Sequence, residues 1–282
     1  MHILRTKNEI SDSLHPLRID NKTIGFVPTM GALHEGHLSL IHQAKLSSDS
    51  VLVSIFINPT QFNSKEDFEK YPQTLEEDLQ VLAASGVDYV FLPHLNEIYP
   101  EPTTLNFDFG DLERTLEGTF RPGHFNGVGL VVSKLLNIVK PNKAYFGQKD
   151  LQQVAIIKRL VKDLSFDVEI IVVETKREQD GLAMSSRNLR LSLEERTIAT
   201  LLYKCLIFGK DELLAGKDWF EVKDRITNRF HNEPQARLEY YEWIESDTFV
   251  RVTQIQNSQK TSICIAAYIG EVRLIDNLTI TE

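Results

Sequence analysis

The sequence PTMGALHEGHLSL, residues 28–40, joins two segments of different period. Ahead of it, TIGFV (residues 23–27) is a short apolar run that reads as a buried strand. Behind it, Leu38, Leu40, Ile41 and Ala44 recur at helical spacing, so a helix is expected over residues 37–48. Between the two lie Gly31, Gly36 and a pair of histidines, His34 and His37, three residues apart. Strand, glycine-containing turn and helix is the arrangement that aims backbone N–H groups at a phosphate. Two imidazoles at the same helix entrance can stabilise charge on a transferring phosphoryl group. A zinc pair on a helix has its histidines at i, i+4. This pair is at i, i+3, with no cysteine or third histidine close by in the sequence. The plainer role for His34 is a helix cap with an exposed neighbour.

The same alternation continues outward. VLVSIFI (51–57), VDYVFLP (87–93), AYFG (144–147) and VEIIVVET (168–175) read as further buried strands. Helical patterns cover residues 74–85, 126–139 and 150–162, the first followed by Gly86 and the second by Pro141. Five apolar strands separated by helices predict an α/β fold, a Rossmann-like, doubly wound parallel sheet. Right-handed crossovers then place the ligand site at the carboxyl ends of the strands. The pattern changes after Thr175. Residues 176–188 are polar with no period, helices follow over 193–209 and 219–232, and strand-like runs occupy 238–245, 261–269 and 271–278. The expected division is residues 1–176 and a smaller α+β domain, 177–282, with antiparallel strands. The long connection 93–124 reads as a lid or binding loop.

Bulk composition excludes several classes. The chain has 282 residues, 42% hydrophobic and 25% charged, ample for a sizeable core. Its formal charge of −9 argues against nucleic acid or an anionic membrane as the main partner, though an acidic protein can hold a locally basic pocket. Two cysteines, Cys205 and Cys264, sit in apolar segments and read as buried thiols. The N-terminal segment lacks the apolar core of a secretory signal, and no apolar run reaches membrane-spanning length. A cytoplasmic location is expected, with no nucleic-acid or membrane partner.

Four further segments carry chemistry. In INPTQF (57–62), Asn58 and Gln61 follow a strand directly, where neutral amides suit hydroxyl and carboxylate recognition; the alternative for Asn58-Pro59 is a simple turn. RPGHFNGVG (121–129) is an anion cradle, part of a lid or a flexible loop. In FGQKDLQQV (146–154), Gly147 permits close backbone approach and Lys149 is a point charge suited to phosphate. Asp150 stands where a helix cap would stand, and the facing of Gln152 and Gln153 is ambiguous. GLAMSSRN (181–188) offers two hydroxyls and a cation in a loop at the domain junction.

Taken in order along nearly the whole chain, PTMGALHEGHLSL, INPTQF, YPQTLEEDL, RPGHFNGV, KLLNIVKPNKAYFGQKDLQQ and REQDGLAMSSRN resemble the pantothenate synthetase (pantoate–β-alanine ligase) family. That family belongs to the nucleotidylyltransferase-like group. Its HIGH signature corresponds here to His34-Glu35-Gly36-His37, and its KMSKS-like signature to Met184-Ser185-Ser186-Arg187. The resemblance implies an acid–amine ligase. Pantoate and ATP give pantoyl adenylate and pyrophosphate, and β-alanine then displaces AMP. It implies ATP as substrate, Mg2+ accompanying it, a C-terminal lid domain and a homodimer. Met30, Gly31, Ala32, Leu33, His34, Glu35, Gly36 and His37 are expected on the nucleotide, as are Gly147, Gln148, Lys149, Asp150, Lys176, Met184, Ser185, Ser186 and Arg187. His37, His34, Lys149 and Arg187 are the implied catalytic groups, and Gln61 and Gln153 hold pantoate, Gln61 also bordering β-alanine. Lys176, Gln73 and Leu130 depart from the family pattern. The rival classes are another nucleotidyltransferase of the same fold acting on a phosphate ester, a non-catalytic nucleotide sensor and a metal hydrolase.

Overall fold

The computed structural model describes residues 1–254 and 260–281. The elements begin with β1 (His2–Leu4), α1 (Lys7–Ile19), β2 (Ile24–Thr29), α2 (Glu35–Ser47), β3 (Ser50–Ile55), α3 (Lys65–Glu69), α4 (Leu75–Ala84) and β4 (Tyr89–Phe91). Next come α5 (Leu95–Ile98), α6 (Glu117–Phe120), α7 (His124–Val139), β5 (Lys143–Gly147), α8 (Leu151–Asp163) and β6 (Glu169–Val173). The chain ends with α9 (Leu193–Leu214), α10 (Trp219–His231), β7 (Ala236–Glu245), β8 (Thr261–Ile269) and β9 (Val272–Thr281). It divides into two compact units, Met1–Gln148 with Gln153–Glu174, and Lys149–Gln152 with Thr175–Glu282.

The first unit is built on a six-stranded sheet in the order β1-β4-β3-β2-β5-β6, parallel throughout. The strands are apolar at successive positions because both sheet faces are covered. Phe26, Leu52, Phe91 and Phe146 face one core with Ile10 and Leu14 of α1, Leu135 of α7 and Ile157 of α8. Val27, Val51, Val53, Val90 and Tyr145 face the other core with Leu40, Ile41 and Ala44 of α2 and Leu82 of α4. Strand order reverses between β2 and β5, and β2 pairs with β5 only at Gly25↔Lys143 and Phe26↔Ala144. Beyond that pairing their carboxyl ends diverge into the crevice where folds of this kind bind ligands.

Two elements go beyond the sequence expectation. The sheet has a sixth strand, β1, which pairs with the edge of the sheet at His2↔Tyr89. Three residues are too few to show a period. Helix α1 carries Pro16 inside it and buries only Ile10 and Leu14. It is held at its start by a capping box between Thr6 and Glu9. The connection 93–124 contains two short helices, α5 and α6, and a 3-10 turn at Gly110–Glu113.

The second unit is an antiparallel three-stranded sheet, β7-β8-β9, as the run of strands after helices predicts. Its core joins Leu202, Cys205 and Leu206 of α9, Trp219, Val222 and Ile226 of α10, and Trp243, Ile263 and Ile265 of the sheet. Ser192 with Glu195, and Asp218, cap α9 and α10.

Candidate active site

The turn after β2 is bent by two residues in the left-handed region, Gly31 (φ 81°) and Ala32 (φ 51°). A side chain at position 31 would start 2.9 Å from Asp78 Oδ2, which makes glycine the fitting residue. Left-handed alanine costs about 1–2 kcal/mol, so something must hold it. Asp78, on α4 and only 3% exposed, does so: Oδ2 accepts the Ala32 N–H at 2.8 Å and Oδ1 accepts the Leu33 N–H at 2.7 Å. Thr74 Oγ1 donates to the same carboxylate at 3.3 Å.

Helix α2 starts at Glu35, two residues before the expected start, because His34 is its cap. His34 Nδ1 accepts the Gly36 N–H at 3.1 Å, and His37 Nδ1 accepts the His34 N–H at 3.3 Å. The rings lie 4.1 Å apart. A nitrogen that accepts from a backbone N–H carries no proton, so each neutral ring is protonated at Nε2. Capping by Nδ1 therefore leaves the ring N–H on Nε2, so capping and anion binding are compatible in one arrangement. Nδ1 fixes the ring on the backbone, and Nε2–H is the donor that an anion at the helix start would use.

The segment after β3 forms a second polar shelf in the same unit. Asn58 is 1% exposed and is more than a turn residue. Its Nδ2 donates to Gln61 Oε1 at 3.1 Å and to the Gly127 carbonyl at 3.2 Å. Its Oδ1 accepts from Tyr99 OH at 2.9 Å and from Thr60 Oγ1 at 3.0 Å. With Oε1 engaged, Gln61 directs Nε2 to Met30 Sδ at 3.0 Å. Thioether sulfur is a weak acceptor, so that amide N–H is easily given to a substrate oxygen.

Residues 121–129 run into the first turns of α7 and brace this shelf. His124, 6% exposed at the first turn of α7, has Nδ1 2.7 Å from the Gln61 carbonyl and Nε2 3.1 Å from Arg121 Nη1. The carbonyl can only accept and the guanidinium can only donate, which assigns the proton to Nδ1. Arg121 pairs in turn with buried Glu117 at 3.6 Å. A Cβ on Gly127 would lie 2.2 Å from the Thr60 carbonyl oxygen, so only glycine lets α7 approach the 3-10 turn Pro59–Gln61 this closely.

The second unit holds Lys149, Asp150, Lys176 and Met184 to Arg187. Gln148–Asp150 is a 3-10 turn that runs directly into α8, so Asp150 closes that turn. Lys149 Nζ lies 3.6 Å from Asp150 Oδ1, and its carbonyl accepts from Asn277 Nδ2 at 2.8 Å. Residues 176–184 form a tight hairpin in which Met184 N–H donates to the Lys176 carbonyl at 3.0 Å. Arg177 anchors it to β9 through Asp276 at 2.6 and 3.0 Å, and stacks 4.3 Å from the Tyr203 ring centroid. Burial pushes the Asp276 carboxyl above its usual range, and the Arg177 fork opposes that shift. Beyond the hairpin, Ser185 Oγ accepts the Arg187 N–H at 3.3 Å and caps the 3-10 turn Ser186–Arg190. Ser186 is buried, and Arg187 is half-buried.

The family model for pantoate–β-alanine ligase matches residues 2–279. The chain belongs to the pantoate–β-alanine ligase family. It is 50% identical over 281 residues to a pantothenate synthetase of Thermodesulfovibrio yellowstonii, covering 99% of this chain and 100% of the relative. Against the pantothenate synthetase of Phocaeicola vulgatus it is 47% identical, with 99% of each chain covered. Among solved structures, a pantothenate synthetase of Thermus thermophilus superposes with a TM-score of 0.92 at 38% identity, covering all of both chains. A pantoate–β-alanine ligase of Francisella tularensis, complexed with "Beta-gamma ATP" and β-alanine, gives 0.81 at 41% identity over 99% of this chain and 97% of that one.

Within this family fold, Met30 to His37 and Gln61 lie after β2 and β3, at the carboxyl edge of the first unit's sheet. Gly147 and Gln148 follow β5, and Gln153 is half-buried on α8. Lys149, Asp150, Lys176 and Met184 to Arg187 belong to the second unit, with Lys176 exposed. Four supporting residues were not anticipated: Asp78, Tyr99, Glu117 and Arg177. Asp78 had one visible signal, a carboxylate four residues before Leu82 on the buried stripe of its helix.

Proposed function

We propose that the chain joins pantoate to β-alanine at the expense of ATP, forming pantothenate, AMP and pyrophosphate through pantoyl adenylate. A pantoate carboxylate oxygen attacks the α-phosphorus, and the bond to the bridging oxygen breaks to release pyrophosphate. The β-alanine amine then attacks the activated carbonyl, loses a proton and expels AMP. The observation that carries this reading is the paired Nδ1 capping of His34 and His37, which puts a ring N–H donor on each imidazole at the head of α2. Such donors stabilise charge as it develops on the phosphoryl oxygens. Gln61, oriented by Asn58, supplies an amide N–H to pantoate, with Gln153 as the second amide.

Lys149 and Arg187 supply positive charge to the same nucleotide, and Ser185 and Ser186 supply hydroxyls. The second unit acts as the lid that brings them. Among the described residues no group of three or more His, Cys, Asp or Glu is placed to hold a metal ion. Magnesium accompanies ATP in this reading, carried on the nucleotide's own phosphates. Among the described residues no helix is long and apolar enough to cross a membrane. We assign the enzyme to the cytoplasm as a homodimer, and sedimentation at the monomer mass would refute the dimer.

One experiment tests the reaction. Labelled pyrophosphate should exchange into ATP only when pantoate is present, and AMP should appear when β-alanine is added. Exchange that ignores pantoate overturns the reading.

A further inference from the structure

Helix α1 presents Lys7, Ser11 and Arg18 on one face, at spacings of four and seven residues. That face meets the C-terminal half of α7, which contributes Lys134 and Asn137, and Lys140 follows at the end of that helix. Between them lies a cavity of about 420 Å³, within the usual range for small-molecule sites. Four cations line it and no carboxylate does, on a chain whose net charge is −9. None of the four is in a salt bridge among the described residues. The nearby Glu97 is engaged at the start of α1, where Oε1 accepts the Lys7 backbone N–H at 2.8 Å. Arg18 Nη2 donates to the Val139 carbonyl at 2.7 Å, while its Nε is buried with no hydrogen-bond partner. Four cations around one cavity, with no carboxylate among its lining residues to offset them, favour an anion there.

The spacing of the cations narrows the ligand. Lys7 and Arg18 are eleven residues apart on one helix, about 16 Å at the helical rise per residue. One phosphate cannot reach both ends. Ile98 and Ile138 supply an apolar stretch of the wall. We propose that this cavity is a second ligand site, for a small organic molecule with a phosphate at one end, a second anionic group at the other and an aliphatic segment between. It uses none of the residues assigned to ATP or pantoate, so it stands or falls apart from the reaction above.

The test uses hexane-1,6-diol bisphosphate as probe, titrated calorimetrically into the full chain with saturating MgATP and no pantoate. One equivalent is expected to bind in the presence of the nucleotide, more weakly as salt rises. Lys7→Gln/Lys140→Gln should weaken binding about tenfold or more, while leaving the KM for ATP unchanged. Both side chains are exposed at helix ends, and far-UV circular dichroism checks the fold. Lys134→Met is a second, independent variant expected to weaken binding in the same direction. Absence of binding to the wild-type chain at millimolar probe overturns the proposal. So does equal affinity in the double variant, or loss of the probe's site when ATP is added.

Discussion

Replacing Asp78 by asparagine keeps the shape of the side chain and removes one of its two acceptor oxygens. In the native turn those oxygens take the Ala32 and Leu33 N–H groups at 2.8 and 2.7 Å, at a position 3% exposed. The amide can accept from only one of them, and its NH2 faces the other donor. A hydrogen bond to a charged group contributes about 1.5–3 kcal/mol, and a buried N–H left unpaired costs about 1–3 kcal/mol. These overlap, so the expected loss is about 2–4 kcal/mol. For a unit of this size that is a fall of about 5–12 °C in its melting temperature. The turn leads directly into His34, and a displacement on the order of 1 Å can cost about 10²-fold in rate. Pyrophosphate exchange in Asp78→Asn should therefore drop about 10- to 100-fold in kcat. Adding Ala32→Gly to that variant lets the left-handed turn persist without the carboxylate. It should recover part of the rate and, by relieving the cost of left-handed alanine, a smaller part of the melting temperature. Differential scanning calorimetry and the exchange assay read the two effects separately. An Asp78→Asn chain that melts and turns over like wild type would refute the argument.

Other substitutions probe the remaining parts of the site. Lys149→Ala should lower turnover at saturating ATP by about 10²–10³-fold, the usual loss for one donor on a developing charge, and near wild-type turnover would remove Lys149 from the mechanism. Gly127→Ala drives a Cβ to 2.2 Å from the Thr60 carbonyl oxygen, so the Pro59–Gln61 turn must move; expected are a loss of about 1–3 kcal/mol in urea unfolding and a raised KM for pantoate. Burial pushes the Cys205 thiol from 9.0 up to about 11, so at pH 7.5 only roughly 10⁻⁴ to 10⁻³ of it is thiolate and a disulfide reagent should leave Cys205 unmodified until the chain unfolds. The unfolded thiol ionises first, so this group's contribution to stability is full below pH 9.0 and is lost as pH rises toward about 11; Cys205→Ala should flatten the unfolding free energy over that interval.

The two sheets were legible because their strands carry both signals that sequence can show, apolar runs and turn residues. SVLVSI is buried at every position from Ser50 to Ile55, as a strand covered on both faces must be. Thr261 to Ile269 could likewise be read to the residue. Helix α1 could not. Eleven of its thirteen positions lie outside the core and Pro16 interrupts the pattern, so its stability comes from the Thr6–Glu9 box and from two side chains. Strand β1 is specified by the edge it joins, 87 residues away in the chain at His2↔Tyr89.

The site divides along the same line. The residues proposed to touch substrate, His34, His37, Gln61 and Lys149, lie in short motifs after strands β2, β3 and β5, where a sequence reading can single them out. Of the residues that orient them, Asn58 lies in the same motif as Gln61, while Asp78, Tyr99 and His124 come from segments distant in the chain. His34 depends on a turn held by Asp78 from α4, and Gln61 on Asn58, Tyr99 and His124 from three different segments. Burial leaves these contacts no alternative partner in water, which is why they can fix a donor's direction. Capping supplies the last step. A histidine at a helix start reads as a structural cap or as a phosphate ligand, and the two readings look exclusive. Imidazole has two nitrogens with opposite roles, and committing Nδ1 to the backbone places the proton on Nε2. The structural bond at His34 and His37 therefore sets the donor that the proposed chemistry would use.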